Sequence, residues 1–392
     1  MNWDDLYCTN PDCYYYGVPF HHGDMIKNGS SNGQKQGRCQ HCGKSVSLKS
    51  GTAYYGLEAD ASVFEIAIRA LAEGNSLNAT ARIVNIDEET IRHWLDRGAQ
   101  HCRLVTLELW RDLHVTECQL DELWSFVHTK EGHLKQAKLS KETYGDAWVW
   151  IAFDPLSRLV VAFVIGKRTQ ANADLLLKRV NHVTDQHIPF FTSDQLDEYK
   201  TALLNVYGET YQPQRKGTRG PNPKPRRRAL PALLYAQVVK DRQKGRVANV
   251  TTKIIFGNEE DIQQKLDEST ASHTINTSFV ERDNLTQRQS NRRLTRKTNG
   301  FSKELNWFEK QLWLSLAYYH LIVPHKSLRR KLKTPEPTRG SGSKKTWEPV
   351  TPAMAAGITD HIWGTRELLS YRIYPDQIKN VEKMKSLFPN IE

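Results

Sequence analysis

A chain of 392 residues with a formal net charge of +11 has room for two to four units of ~100–200 residues and is basic enough to expect a polyanionic partner. Its most apolar run, RLVVAFVIG at 158–166, falls far short of the ~20 residues that span a bilayer, and the acidic start MNWDDLYC lacks the apolar stretch of a secretion signal. Six cysteines, four of them near the start, point to a metal site in a reducing, cytoplasmic compartment rather than to a disulfide framework.

That cluster comes first along the chain. Cys8 and Cys13 form C-x4-C, and Cys39 and Cys42 form C-x2-C within GRCQHCGKS. Two such knuckles bring four thiolates around one structural Zn²⁺, so residues 1–52 read as a zinc ribbon. His21, His22 and His41 are weaker alternative ligands, and Cys102 and Cys118 read as small buried residues.

Residues 53–110 read as helical. Val63, Ile66, Ala67, Ala70 and Leu71 form an apolar stripe that stops near Gly74. A short helix, LNATARIVN, leads to Asp87, an N-cap for EETIRHWLDRGAQ. Two helices, a turn and a third amphipathic helix describe a helix-turn-helix unit, with Thr90, Arg92, His93 and Arg97 on its expected DNA-facing side. An ordinary three-helix packing module is the alternative.

The period then changes. HVTECQLDELWSFVHT alternates, DAWVWIAFD and RLVVAFVIG follow around a PLS turn, and IPFFTSD ends a further apolar run. QANADLLLKRVNHVTDQ between the third and fourth strands reads as a crossover helix. Three meander strands, a helix and a short strand ending in an aspartate match the element order of an RNase H-like core, here expected over 111–208 and 270–330 of an α/β multidomain chain.

Two acids stand out in that order, Asp121 within the first strand and Asp194 at the end of the fourth. Carboxylates gathered from neighbouring strands repel unless a cation separates them, and hard Mg²⁺ or Mn²⁺, two per site, fits such a gap. Glu281, opening a helix in FVERDNLTQRQSNRRLTRKTNGFSK, is the expected third ligand. On a continuous helix Arg288 and Arg292 return to within ~20° of it, a stripe suited to phosphate, and Arg293, Arg296 and Lys297 follow. Glu259 and Glu260 are the rival third acids, more simply read as helix-dipole partners.

LDELWSFV around Asp121, FFTSD at Asp194, the long run through Glu281 and TPAMAAGIT at 351–359 resemble the IS1 family of DDE transposases over nearly the whole chain. The resemblance implies that Asp121, Asp194 and Glu281 form a DDE triad binding two Mg²⁺. It also implies nicking at the ends of an insertion sequence and attack of the freed 3′-OH on target DNA. The partners implied are element ends, target DNA and at least one further copy of the chain, in a prokaryotic cytoplasm beside the nucleoid. A sequence-specific transcription regulator and a structure-selective nuclease on the same core are the other readings.

Residues 209–269 read as an insertion into that core. Arg215, Lys216, Arg219, Lys224, Arg226, Arg227 and Arg228 make an extended basic arm broken by Pro and Gly, expected to touch DNA unless it is merely a solubilising loop. A β-hairpin with a DRQKGR turn follows. Downstream, Leu305, Phe308, Leu312, Leu316 and Tyr319 mark a core helix, with His320 and His325 in structural roles. Residues 331–348 read as a flexible linker, and 349–392 as a helical appendix bridging protomers.

Overall fold

The structure, a computed structural model, describes residues 2–215, 222–338, 340, 342–374 and 387. It is a mixed α/β protein built around a six-stranded sheet.

The N-terminal unit is a three-stranded antiparallel sheet of β1 (Met25–Ser31), β2 (Gln34–Cys39) and β3 (Ser45–Ser47). Asn32 and Gly33 join the first two strands with φ of 49° and 72°, the left-handed pair that a two-residue hairpin turn demands. Its core is small: Leu6, Met25 and Val46 around the cysteines.

Helices α1 (Ala61–Ala72), α2 (Leu77–Val84) and α3 (Glu88–Leu109) follow, each begun by a side-chain cap from Asp60, Ser76 and Asp87 respectively. The expected α1 stripe is rotated by one position. Phe64, Ala67, Ile68, Leu71 and Ala72 face inward, while Ile66 is 40% exposed, because the partner surface comes from distant elements that a local pattern does not contain.

The central sheet begins with the antiparallel meander β4 (Glu117–Val127), β5 (Gly145–Asp154) and β6 (Leu159–Gly166), with the single turn α4 (Leu134–Ala137) between the first two. Helix α5 (Gln170–Val183) returns the chain to β7 (Phe190–Asp194), which lies parallel to β4 with Leu120 opposite Ser193. After α6 (Asp197–Tyr207) come the ribbon β8 (Gly208–Tyr211) and β9 (Arg226–Ala229), then β10 (Tyr235–Gln243) and β11 (Arg246–Phe256).

Here the structure corrects the insertion. β10 pairs in parallel with β7, from Tyr235 opposite Phe191 to Val238 opposite Asp194, and β11 closes the edge, so the sheet runs β11-β10-β7-β4-β5-β6. The hairpin, with Lys244 and Gly245 at φ of 48° and 79°, is therefore part of the core sheet. The basic segment before it is also ordered in part: Arg226 to Arg228 form β9 rather than a loose arm.

Helices α7 (Glu259–Glu268), α8 (Ser278–Ser290) and α9 (Leu305–Leu321) follow along the chain. One sheet face packs Leu120, Trp150 and Tyr235 against α5 and α6, and the other packs Leu123, Val149 and Ile151 against Val280, Phe308 and Leu312 of α8 and α9. All of α9 from Gln311 onward is buried, because it is wedged between this face and the helical unit.

The linker and the appendix are also corrected. β12 (Arg330–Glu336) and β13 (Lys345–Glu348) pair as an antiparallel ribbon, Lys331 opposite Trp347. Helices α10 (Pro352–Ala355) and α11 (Thr365–Ser370) then fold back onto α1, α3 and α9 of the same chain. Beyond them Arg372 donates to the Ser50 carbonyl at 3.0 Å and also to that of Leu48, and the Tyr7 hydroxyl donates to the Ile373 carbonyl at 3.1 Å. The segment straps the cysteine unit to the helices. Residues 375–386 and 388–392 of the expected appendix lie outside the described residues. No described helix is long and apolar enough to cross a membrane.

Candidate metal-binding active site

Parallel pairing of β4 and β7 stops at Leu120 and Ser193, so the next residues, Asp121 and Asp194, emerge side by side. Gln119, two residues earlier on the same face, fixes the helix that covers them. Its Oε1 accepts the Val280 N–H at 3.0 Å and its Nε2 donates to the Asn276 carbonyl at 2.9 Å, which satisfies an orphan donor in the first turn of α8. Thr192 of β7 donates to the same carbonyl at 3.1 Å. Two strands thus set where α8 begins, and Glu281 follows in its first turn.

The arrangement around Asp121 is tight. Its Oδ1 accepts the Glu122 N–H at 2.9 Å, and its Oδ2 accepts from Asn284 Nδ2 at 2.6 Å. Carboxylate oxygens of Asp121, Glu122 and Asp194 lie within 4.8 Å of one another. Glu122 Oε2 meets Arg168 Nη2 at 3.0 Å and the Tyr199 hydroxyl faces the Glu122 carboxylate, but Asp194 Oδ1 is buried without a hydrogen-bond donor. Burial, then the charge of Asp194, pushes Asp121 up to about 6. Burial pushes Glu122 up to about 7 and also raises Asp194. Mutually repelling carboxylates in a buried site, with Asp194 Oδ1 undonated, are a donor set that fits a hard divalent cation.

Glu281 stands just outside this trio. Its charge raises both Asp121 and Asp194, yet its carboxylate accepts from Thr277 Oγ1 at 2.7 Å and from the ammonium of Lys240 on β10. Glu259 and Glu260 sit exposed in the first turn of α7, beside its cap Asn258, as dipole partners do. Glu122, Lys240 and Asn284 were not expected. Adjacent acids on one strand point to opposite faces, so only the strand-end position of Asp194 lets Glu122 join the cluster. Asn284 had a signal, its i+3 spacing from Glu281 on one helix face.

The four cysteines also converge. Cys8 and Cys42 sulfurs are 3.5 Å apart and those of Cys13 and Cys39 are 3.7 Å apart, and all four lie within 4.8 Å. Tetrahedral Zn–S bonds of about 2.3 Å require sulfurs about 3.8 Å apart, close to the spacing of these two pairs, so the four cysteines could hold one zinc ion. The backbone N–H two residues on serves three of the sulfurs: Asn10 for Cys8, Tyr15 for Cys13 and Lys44 for Cys42. The Lys44 N–H pulls the Cys42 thiol down to about 6, which favours the thiolate a metal takes.

The expected DNA contacts divide sharply. Thr90 Oγ1 donates to Asp87 at 2.6 Å and Arg97 to the carbonyls of Ala53 and Tyr55, so both serve the fold of α3. Arg92 pairs with Glu89 at 2.6 Å and Glu88 at 3.6 Å, and His93, its side chain 73% exposed, lies 3.5 Å from Glu89 as well. Arg227 donates to the Leu204, Asn205 and Gly208 carbonyls, capping the C-terminal end of α6, and Arg228 pairs with Glu209 at 2.8 Å. Arg215, Lys224 and Arg226 are exposed, and Lys216 and Arg219 lie outside the described residues.

The arginine stripe on α8 is corrected as well. The helix stops at Ser290, so exposed Arg292 lies beyond it in a 3₁₀ turn and does not share the Glu281 face. Arg288 donates to the Leu294 carbonyl at 2.6 Å and the Trp124 carbonyl at 3.3 Å, and Arg293 donates to Ser302 Oγ at 3.0 Å. Both hold the loop after α8 against β4. Arg296 and Lys297 remain exposed in that loop.

Compared with known proteins, the chain matches no family model, and no curated sequence matches it.

Proposed function

We propose that this chain is a DDE transposase of the IS1 family, acting on the ends of an insertion sequence and on target DNA. The observation that carries the reading is the approach of Asp121 and Asp194 from two parallel strands, with Glu281 on the helix after them near enough for its charge to raise both. The strand order supports it: β6-β5-β4-β7-β10, an antiparallel meander followed by two parallel strands, is the arrangement of an RNase H-like core.

In this reading Asp121, Glu122 and Asp194 hold the divalent cations, with Glu281 completing the set once Lys240 releases it. A divalent cation held by these residues would supply activation of the attacking oxygen and stabilisation of the leaving oxygen of a phosphodiester. Asn284 keeps the Asp121 carboxylate turned toward the cluster. Arg168 holds Glu122 in place from the loop after β6. The walls formed by Tyr199 and Tyr235 are buried, which keeps bulk water from the rear of the cluster. The zinc-fitted unit and α1–α3 carry the duplex, and two copies of the chain serve two element ends.

The test uses the full chain, linear DNA bearing the inverted repeats that flank its gene, a supercoiled target and Mg²⁺. Nicked and joined products are expected, with both lost in Asp121→Asn and Glu281→Gln. Cleavage without joining overturns the reading in favour of a nuclease. Metal-independent binding with no strand breakage overturns it in favour of a transcription regulator.

A further inference from the structure

Beyond Glu122, the face of β4 that carries it has a second feature. Trp124 follows Glu122 by two residues and Phe126 follows by four, so the three side chains succeed one another at steps of about 6.6 Å. β7 pairs only as far as Leu120, so the outer half of β4 has a free edge along which the loop after α8 runs. Trp124 and Phe126 ring centroids are 5.7 Å apart, and Phe301 from that loop lies over Phe126 at 4.9 Å and 33°. They open into a cavity of about 520 Å³, inside the roughly 300–1,000 Å³ of clefts that seat small ligands.

The charge of this cavity is one-sided. Lys130, Arg296 and Lys297 line it, and no described carboxylate does. Lys130 Nζ sits 5.8 Å from the Trp124 ring centre and 5.9 Å from that of Phe126. The walls are also held in advance. Ser125 Oγ donates to the Arg293 carbonyl at 2.9 Å, the His128 N–H donates to the Ser302 carbonyl at 2.7 Å, and Arg288 ties Trp124 to Leu294. Half-buried aromatic faces beside cations, next to a cluster built for phosphodiester chemistry, match the needs of a nucleotide whose base is out of its stack.

We infer that the cavity of Trp124, Phe126 and Phe301 seats an unpaired base of a DNA strand, with the adjoining phosphates on Arg296 and Lys297 and the next phosphodiester directed toward Asp121 and Asp194. The inference rests on the nucleic-acid reading of the acid site and adds its substrate class: a strand locally unpaired beside the point of attack. A duplex end must therefore open there before the strand enters the acid cluster.

The experiment measures the ratio of affinities of the full chain for oligothymidine of about 16 nucleotides and for a duplex of equal length, without Mg²⁺ so that no strand is cut. A 2-aminopurine in the single strand reports stacking. Trp124→Ala and Phe301→Ala should each lower the single-strand to duplex ratio by roughly 5- to 150-fold and abolish the 2-aminopurine change, while Trp124→Phe keeps most of both. Arg296→Ala should reduce the salt dependence of single-strand binding by about one ion. Alanine variants that melt like the wild type and keep its ratio overturn the inference, as does equal affinity for oligouridine. The two readings fail separately: Asp121→Asn must retain the stacking signal, a chain that stacks bases but never cuts sinks only the transposase assignment, and a chain that joins ends with an unchanged ratio in the alanine variants sinks only the base site.

Discussion

The ammonium of Lys240, on the fifth strand of the sheet, is ion-paired with the Glu281 carboxylate on the helix opposite. The pair closes the acid cluster with a cation supplied by the chain. Lys240 also lowers the pKa of Asp121 and of Asp194, so a single positive charge serves three acids.

Lys240→Met should therefore loosen the metal-free protein and tighten its hold on Mg²⁺. The Glu281 side chain is 46% exposed, so solvent screening limits the loss of stability to about 1 kcal/mol or less. Calorimetric titration should give a several-fold lower Mg²⁺ dissociation constant in the variant. A weaker Mg²⁺ site would mean that Lys240 assists the metal rather than standing in for it.

Stability should depend on pH through the raised acids. Asp121 and Glu122 keep their protons in the folded, metal-free state up to about 6 and about 7, whereas the unfolded chain releases them near pH 4. The folded state binds more protons across that window, so stability falls as pH rises through it. The melting temperature of Asp121→Asn in a chelator should exceed that of the wild type by a margin that grows from about pH 4 to about pH 6 and levels off above it, and millimolar Mg²⁺ should narrow it. A margin independent of pH would remove the buried carboxylate as its cause.

Glu122→Gln should weaken Mg²⁺ binding by about tenfold or more and depress strand cleavage with it, the scale expected for a ligand or its close support. Glu260→Gln should do neither, since Glu260 sits exposed in the first turn of α7. The reverse pattern would move the metal away from the β4–β7 junction.

Arginines should sort into those that hold the fold and those that hold DNA. Arg288→Ala leaves the Leu294 and Trp124 carbonyls without their donor and should cost about 1–3 kcal/mol on thermal unfolding, with the salt slope of DNA binding unchanged. Arg296→Ala should leave the melting point alone and reduce the slope by about one. Loss of slope without loss of stability in Arg288→Ala would return it to the DNA surface.

Removal of zinc should unfold the N-terminal unit first. Leu6, Met25 and Val46 make too small a core to stand alone, so the thiolate site supplies most of its folding free energy. One zinc per chain is expected on release by mercurial titration, and chelation or Cys39→Ser should open residues 2–50 to protease while the sheet stays protected. Protection of that unit after complete zinc loss would assign its order to the Arg372 strap instead.

Short-range features were legible in the sequence because neighbouring residues carry them. The cysteine knuckles depend on turns of a few residues, the strand through Asp121 on period-2 alternation and the one ending at Asp194 on a short apolar run, the DRQKGR hairpin on its Lys-Gly turn, and the start of α3 on the Asp87 cap. What depended on partners far along the chain was not legible. Pairing of β10 with β7 made core out of an apparent insertion and delivered Lys240 to Glu281. The strand-end position of Asp194 drew Glu122 into a cluster that alternation alone would have denied it. Carbonyls presented by β4, α6 and the loop before α1 claimed Arg288, Arg227 and Arg97, which a linear reading offers to DNA. Sequence spacing determines which side chains share an element, but the register of distant strands and the competition of buried carbonyls for donors decide which charges remain free to act.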